Sequence, residues 1–224
     1  MRQRALCFLT VCIYIAAMTF GIVKKQTYTD LAKQENYLSQ ILVGELTENS
    51  AEKQCAIMYQ KLPDAAIILR VKVTGEIEHL FQVDRQKVVI QEVYAGAGLK
   101  QGDEVYISSR HWQLALDGNP NSLERGFVNI MEVGSEYLVF AEDIMEDWEA
   151  GIPAVKVYDD FLVAPVFCYE EHQNVIMPVS GDSTAVSYKD VMNNEFFVTS
   201  EKALQTMNTL KNQMLSLYPG NESD

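Results

Sequence analysis

Histidine, tryptophan and freely available cysteine are all scarce in this chain. Three histidines in 224 residues make a catalytic zinc centre, which needs three converging protein ligands, hard to assemble. Of the four cysteines, Cys7 and Cys12 sit inside the first apolar run, leaving Cys55 and Cys168 for the remainder. One pair in a domain of this size is no disulfide framework, so two buried free thiols are expected ahead of a Cys55–Cys168 bridge. A bridge would close a long loop and, in an oxidising compartment, add about 4 to 5 kcal/mol. There is no internal repeat. The glycine-rich stretch Gly96-Ala97-Gly98-Leu99-Lys100-Gln101-Gly102 has neither P-loop nor dinucleotide spacing, and no Lys-Ser/Thr pair follows, so it is read as a structural corner.

Basic residues are also few: 18 Lys and Arg face 31 Asp and Glu. Arg2, Arg4, Lys24 and Lys25 flank the first apolar run, and every acidic residue lies beyond them, which leaves about −17 for everything after Lys25. So acidic a surface repels phosphate backbones, and nucleic acid is not expected as a partner.

Ala5 to Val23 is a run of 19 residues without a charge, about the length a bilayer core requires. It reads as a membrane anchor, or as a signal peptide; the residues near Ala17 and Thr19 make mediocre cleavage sites, so the anchor is preferred. Cys7 and Cys12 have too little apolar sequence before them for a lipoprotein signal. Arg2, Arg4 and the terminal amine slightly outweigh Lys24 and Lys25, so the bulk of the chain is placed outside the cytoplasm. Cell-membrane localisation with a single pass follows; secretion after cleavage is the alternative.

Beyond Lys25, Leu31, Leu38, Leu42 and Leu46 keep near-helical spacing over Asp30 to Leu46. A second helix is expected through Cys55, Met58, Tyr59 and Leu62, opened by a capping-box-like Asn49 and Glu52 and stopped by Pro63. These helices either form a stalk or pack on the domain that follows, and their apolar stripe favours packing. The period then becomes two: Ile67, Leu69, Val71 and Val73 alternate with Ile68, Arg70, Lys72 and Thr74, as in a half-buried strand. A polar turn at Asp84 to Lys87 leads to a strand from Val88 to Tyr94. Gly96, Gly98 and Gly102 then turn the chain into Val105 to Ser108. Ser109 to Arg125 reads as a long loop carrying His111, Trp112 and Leu114. Apolar strand-like runs follow at Phe127 to Met131, Tyr137 to Phe140, Ala154 to Tyr158, Phe161 to Phe167 and Val175 to Val179, with an acidic loop holding Trp148 between them. Ser200 caps a final helix striped by Ala203, Leu204, Met207, Leu210, Met214 and Leu215. Three parts are therefore expected: an anchor over 1–25, a helical segment over 26–63, and over 64–224 an α+β, β-rich barrel of five to six strands with flanking helices.

The order of these pieces, with Gly102-Asp103-Glu104-Val105 and Gly134-Ser135-Glu136-Tyr137-Leu138-Val139-Phe140 as its most specific parts, resembles the OB-like barrel of the netrin-like and tissue-inhibitor-of-metalloproteinases superfamily, in a divergent, bacterial-type form. The resemblance covers about Ala65 to Tyr218. It implies an extracytoplasmic binding or accessory module. The inhibitors of that superfamily act through an N-terminal cysteine that chelates the protease zinc; no cysteine stands near a plausible mature N-terminus here, so inhibition is not implied.

Catalytic constellations are thin. Ser180-Gly181-Asp182-Ser183-Thr184 looks like the nucleophile turn of a GDS-type esterase, but no histidine follows Ser183 to serve as its base. Glu170, Glu171 and His172, with Asp159 and Asp160 nearby, are the densest metal-ligating residues, and along a strand only Glu170 and His172 would share a face. A surface acidic loop is the plainer account. Trp112 and Trp148 fall in predicted loops, where tryptophan either marks a recognition surface or plugs a barrel end. His111, Trp112 and Trp148 are the candidate binding residues. The expectation is a non-enzymatic, membrane-tethered module that binds a protein at the cell surface, without cofactor or metal. The alternative is a divergent hydrolase using Ser183 or a metal at Glu170 and His172.

Overall fold

The computed structural model describes residues 10, 13–15, 17–21, 42–44, 46–79, 84–112, 114–115, 122–123, 127–146, 151–177 and 185–220. The chain forms two units, Met1–Tyr37 and Leu38–Asp224. In the first, residues 13–15 and 17–21 are helical and expose Ile13, Tyr14, Ile15, Met18 and Phe20. Among the described residues no helix is long and apolar enough to cross a membrane. Much of the Ala5–Val23 run, and the Asp30–Leu46 segment up to Ile41, lie outside the described residues.

In chain order the second unit runs β1 (Leu42–Gly44), α1 (Glu48–Lys61), a 3-10 turn (Leu62–Asp64), β2 (Ile67–His79), β3 (Asp84–Ala95), β4 (Glu104–Ser109), β5 (Leu114–Ala115), β6 (Ser122–Leu123), β7 (Glu136–Met145), β8 (Ala154–Val157), β9 (Val166–Cys168), β10 (Ala185–Ser187), α2 (Tyr188–Val191) and α3 (Glu201–Leu217). The class is α+β. Strands β2, β3, β4, β8 and β7 follow one another around a ring that the β2–β7 pairing closes. Every junction is antiparallel except β4–β8, which is parallel. Closure leaves no open edge in the ring, and β9 is added to the outer register of β7.

Alternation along the strands sorts two cores. Ile67, Leu69, Val71 and Val73 of β2 point into the barrel with Val88, Ile90, Val105, Ile107, Val139 and Val155. The opposite face, with Ile68, Leu138, Phe140 and Phe167, lies beneath Ala51, Cys55 and Met58 of α1 and Ala203, Met207, Leu210 and Met214 of α3. Because β7 is buried on both faces, Tyr137 to Phe140 reads as continuously apolar rather than alternating. Each aliphatic side chain fully withdrawn from water contributes about 1.5 to 3 kcal/mol, so α1 is held against the barrel wall, not extended as a stalk. Ser200 caps α3, its hydroxyl accepting from the Ala203 amide at 3.1 Å. α1 is capped by Thr47, whose Oγ1 accepts from the Ser50 amide, two residues before the Asn49 expected.

Several expectations are corrected. Leu42–Gly44, the end of the expected first helix, is a strand between β10 and β6; its neighbours supply pairing that a lone helical spacing does not reveal. Asp84 to Lys87 is not a turn but the start of β3, paired residue for residue with Ser109 to Tyr106. The polarity of this stretch is satisfied inside the ladder. Gln86 makes a reciprocal clamp on Met131, donating from Nε2 to its carbonyl at 2.8 Å and accepting from its amide at 2.9 Å. Val175 to Met177, the described part of another expected strand, forms none. Gly96, Gly98 and Gly102 do adopt positive φ at the β3–β4 corner, the left-handed region that glycine enters without strain.

Trp112 is fully buried in the barrel core. The binding role expected of it does not hold, because it is among the largest fully buried side chains in a barrel otherwise filled mainly by valine, isoleucine and leucine. His111 is buried beside it in sequence, with Nε2 2.9 Å from the Tyr158 carbonyl, and is not a surface residue either. Cys55 and Cys168 are both free and buried. They cannot bridge: Cys55 belongs to the helix-side core and Cys168 to the barrel interior, on opposite faces of the wall.

Candidate functional site

The described residues enclose a cleft of about 630 Å³. Four separated stretches line it: Glu76 on β2, Asn129 to Val133 with Tyr137, Glu170 to Gln173, and Tyr188 with Met192 to Glu195. The Glu170 to Gln173 stretch has no regular secondary structure, so side-chain amides do the work of a ladder. Asn174 Oδ1 accepts from the amides of Glu195 (2.8 Å) and Phe196 (3.0 Å). Asn194, itself buried, both donates to the Val175 carbonyl at 2.6 Å and accepts from the Val175 amide at 2.9 Å. Asn129 Nδ2 donates to the carbonyls of Met192 and Asn194, both at 2.8 Å, while its Oδ1 accepts from Tyr188 at 3.0 Å. Three asparagines thus rivet the walls and hold the cleft in one shape. A satisfied buried network of this kind rigidifies what it joins.

One lining residue, Glu195, belongs to an ion pair. Glu195, 3 % exposed, accepts from Lys211 Nζ at 2.5 Å on Oε2 and from the Cys168 amide at 2.8 Å on Oε1. Lys211, 7 % exposed, also donates to the Glu170 carbonyl at 2.9 Å, tying α3 to the cleft wall. Burial raises the Glu195 carboxyl above the usual range, and Lys211 opposes that rise. Burial likewise raises the Tyr137 phenol and pushes the Cys168 thiol up to about 11. A thiol so placed is no nucleophile at neutral pH.

The rim is acidic. Glu76, Glu132, Glu170 and Glu171 are exposed along it, and Glu170 Oε2 accepts from the Ser135 hydroxyl at 3.0 Å. His172 is half-buried; its Nδ1 lies 3.4 Å from the Asn193 carbonyl, and its Nε2 is shielded without a hydrogen bond among the described residues. Glu170 and His172 therefore do line one hollow, though not along a strand. Among the described residues no group of three His, Cys, Asp or Glu is placed to hold a metal ion. Ser183 and Trp148 lie outside the described residues.

Asn129, Asn174, Asn194, Glu195 and Lys211 were not singled out from the sequence. One signal was present: Lys211 falls on the apolar stripe of α3, next to Leu210, four residues after Met207 and three before Met214. A lysine there must find a buried acceptor. No protein-family model matches the chain, and no curated protein is similar to it.

Proposed function

We propose that this chain is a non-catalytic, extracytoplasmic binding module whose acidic cleft receives a cationic side chain or basic segment of a protein partner. The observation that carries it is the cleft itself: a hollow of about 630 Å³, preformed by riveted walls and rimmed by four exposed glutamates. Among the described residues that line it, the one buried carboxylate, Glu195, is already paired with Lys211. Lysine or arginine entering such a hollow gains charge-assisted hydrogen bonds while displacing little structure. The excess of acidic residues beyond Lys25 extends the attraction and speeds encounter with a basic partner. The barrel order, with its single parallel junction β4–β8, supports reading the scaffold as OB-like and the relation as netrin-like. The uncharged run Ala5 to Val23 supports tethering at the membrane.

The test is calorimetric titration of the full chain with arginine-rich, lysine-rich and uncharged peptides of equal length. Binding confined to the basic peptides, weakened by salt and reduced by Glu132→Gln with Glu171→Gln, is expected. Equal binding of the uncharged peptide, or none of any peptide, overturns the proposal.

A further inference from the structure

Two walls of the cleft are tied to the rest of the fold through one buried contact. Glu195 lines the cleft, and its carboxylate reaches two other elements: Oε1 accepts from the Cys168 amide of β9, and Oε2 accepts from Lys211 Nζ of α3. Lys211 Nζ donates in turn to the Glu170 carbonyl, at the head of the wall formed by Glu170 to Gln173. Titratable groups surround Glu195 from every element packed against it. Lys211 faces it from α3, Tyr137 from β7, the Cys168 thiol from β9 and His172 from the stretch that follows β9. Burial keeps Tyr137 and Cys168 in their protonated, uncharged forms, so neither adds charge to the cluster. As an ion pair, Glu195 and Lys211 contribute no net charge to the cleft. Once Glu195 takes up a proton, however, the Lys211 ammonium keeps only the Glu170 carbonyl as a charge-free acceptor, and a cation in the cleft meets a like charge in a site partly withdrawn from water. Burial holds the Glu195 carboxyl above the ordinary carboxylate range, against the opposing effects of Lys211, the Cys168 amide and His172. The change therefore falls on the neutral side of that range.

We propose that the Glu195–Lys211 pair is an acid-operated charge switch on the cleft: protonation of Glu195 uncovers the Lys211 ammonium, which expels the cationic segment of the partner. Linkage fixes the sign. A cation in the cleft favours the ionised form of Glu195, so affinity is full above the Glu195 titration and falls as pH drops through it. The consequence for a partner rests on reading the cleft as a receptor for cations; the switch itself does not.

The test has two arms, both on the full chain. In the first, without peptide, glutamate carboxyl carbons are followed by NMR from pH 8 to pH 4, with Glu195 assigned by its loss in Glu195→Gln. Its titration is expected above the ordinary carboxylate range, and the amides of Glu171, residue 172 and Gln173 are expected to shift with the same midpoint. The measurement is repeated in His172→Gln, so that the imidazole does not contribute to the shifts. Absence of a Glu195 titration above that range, or cleft amides indifferent to it, overturns the proposal. In the second arm, a lysine-rich peptide is titrated calorimetrically at pH 7.5 and below the Glu195 step. The comparison is Glu195→Gln with Lys211→Met, which replaces both charges by neutral side chains and keeps the four rim glutamates. Wild type and His172→Gln are expected to lose about tenfold more affinity across the step than this double variant. Glu195→Gln alone, a permanent copy of the protonated charge state, is expected to bind about tenfold more weakly than wild type already at pH 7.5. Equal pH dependence in wild type and double variant overturns the proposal. If Glu195→Gln does not fold, the double variant, which strands neither charge, carries the comparison. If the amides follow Glu195 but no basic peptide binds at pH 7.5, the reading of the cleft fails and the switch stands.

Discussion

Removal of Lys211 isolates one buried charge and makes the largest clear prediction. In Lys211→Met the Glu195 carboxylate keeps the Cys168 amide as a donor but loses the cation that donates to it at 2.5 Å. Breaking a buried pair from one side costs about 3 to 5 kcal/mol because the remaining charge is uncompensated. The cost must depend on pH. Glu195 already titrates above the ordinary carboxylate range because burial outweighs Lys211. A carboxyl whose folded-state pKa is raised contributes stability that is full below its unfolded value and is lost as pH rises through the folded value. Without Lys211 the folded value rises further, so the penalty grows from acid to neutral pH. Urea unfolding of wild type and Lys211→Met, followed by circular dichroism from pH 4 to pH 8, measures this directly. Glu195→Gln is the internal control for the pH dependence: it removes the titrating carboxyl, so its own cost, which comes from stranding Lys211, should not grow from acid to neutral pH as that of Lys211→Met does. A Lys211→Met penalty that is independent of pH, or below about 1 kcal/mol at neutral pH, would refute the assignment of the pair as a buried, coupled unit.

Other outcomes follow from the same packing. Trp112→Ala should cost about 3 to 5 kcal/mol, as for other fully buried large aromatics, read as a fall in melting temperature; a neutral effect would mean that Trp112 does not fill the barrel. Gln86→Ala leaves both the Met131 amide and carbonyl without their side-chain partners, and a loss of about 2 to 4 kcal/mol is expected for two stranded groups. Denaturant midpoints check it. Cys55 and Cys168, their thiols pushed up to about 11 by burial, should resist maleimide at pH 7.5 in the folded chain and react once urea is added. Peptide mapping distinguishes them from Cys7 and Cys12, and rapid labelling of either in the folded state would contradict the two-core arrangement.

Periodicity and composition determined the parts whose physics is local. The period-two run from Ile67, the apolar Tyr137 to Phe140, the Ser200-capped stripe of α3 and the glycine corner before β4 are all legible, because burial and backbone freedom leave their marks on consecutive residues. The charge imbalance and the uncharged run Ala5 to Val23 are equally matters of sequence alone. What tertiary structure decided is everything that requires distant segments to meet. Asp84 to Lys87 looks like a turn until β4 supplies partners for it, and His111 and Trp112 look like loop residues until the barrel closes around them. The parallel β4–β8 junction joins strands almost fifty residues apart in sequence and has no local signature. The cleft is built from four such stretches, and its shape rests on asparagine amides bonded to the backbone of other segments. Those bonds follow from long-range geometry, which a polar residue read in isolation does not disclose.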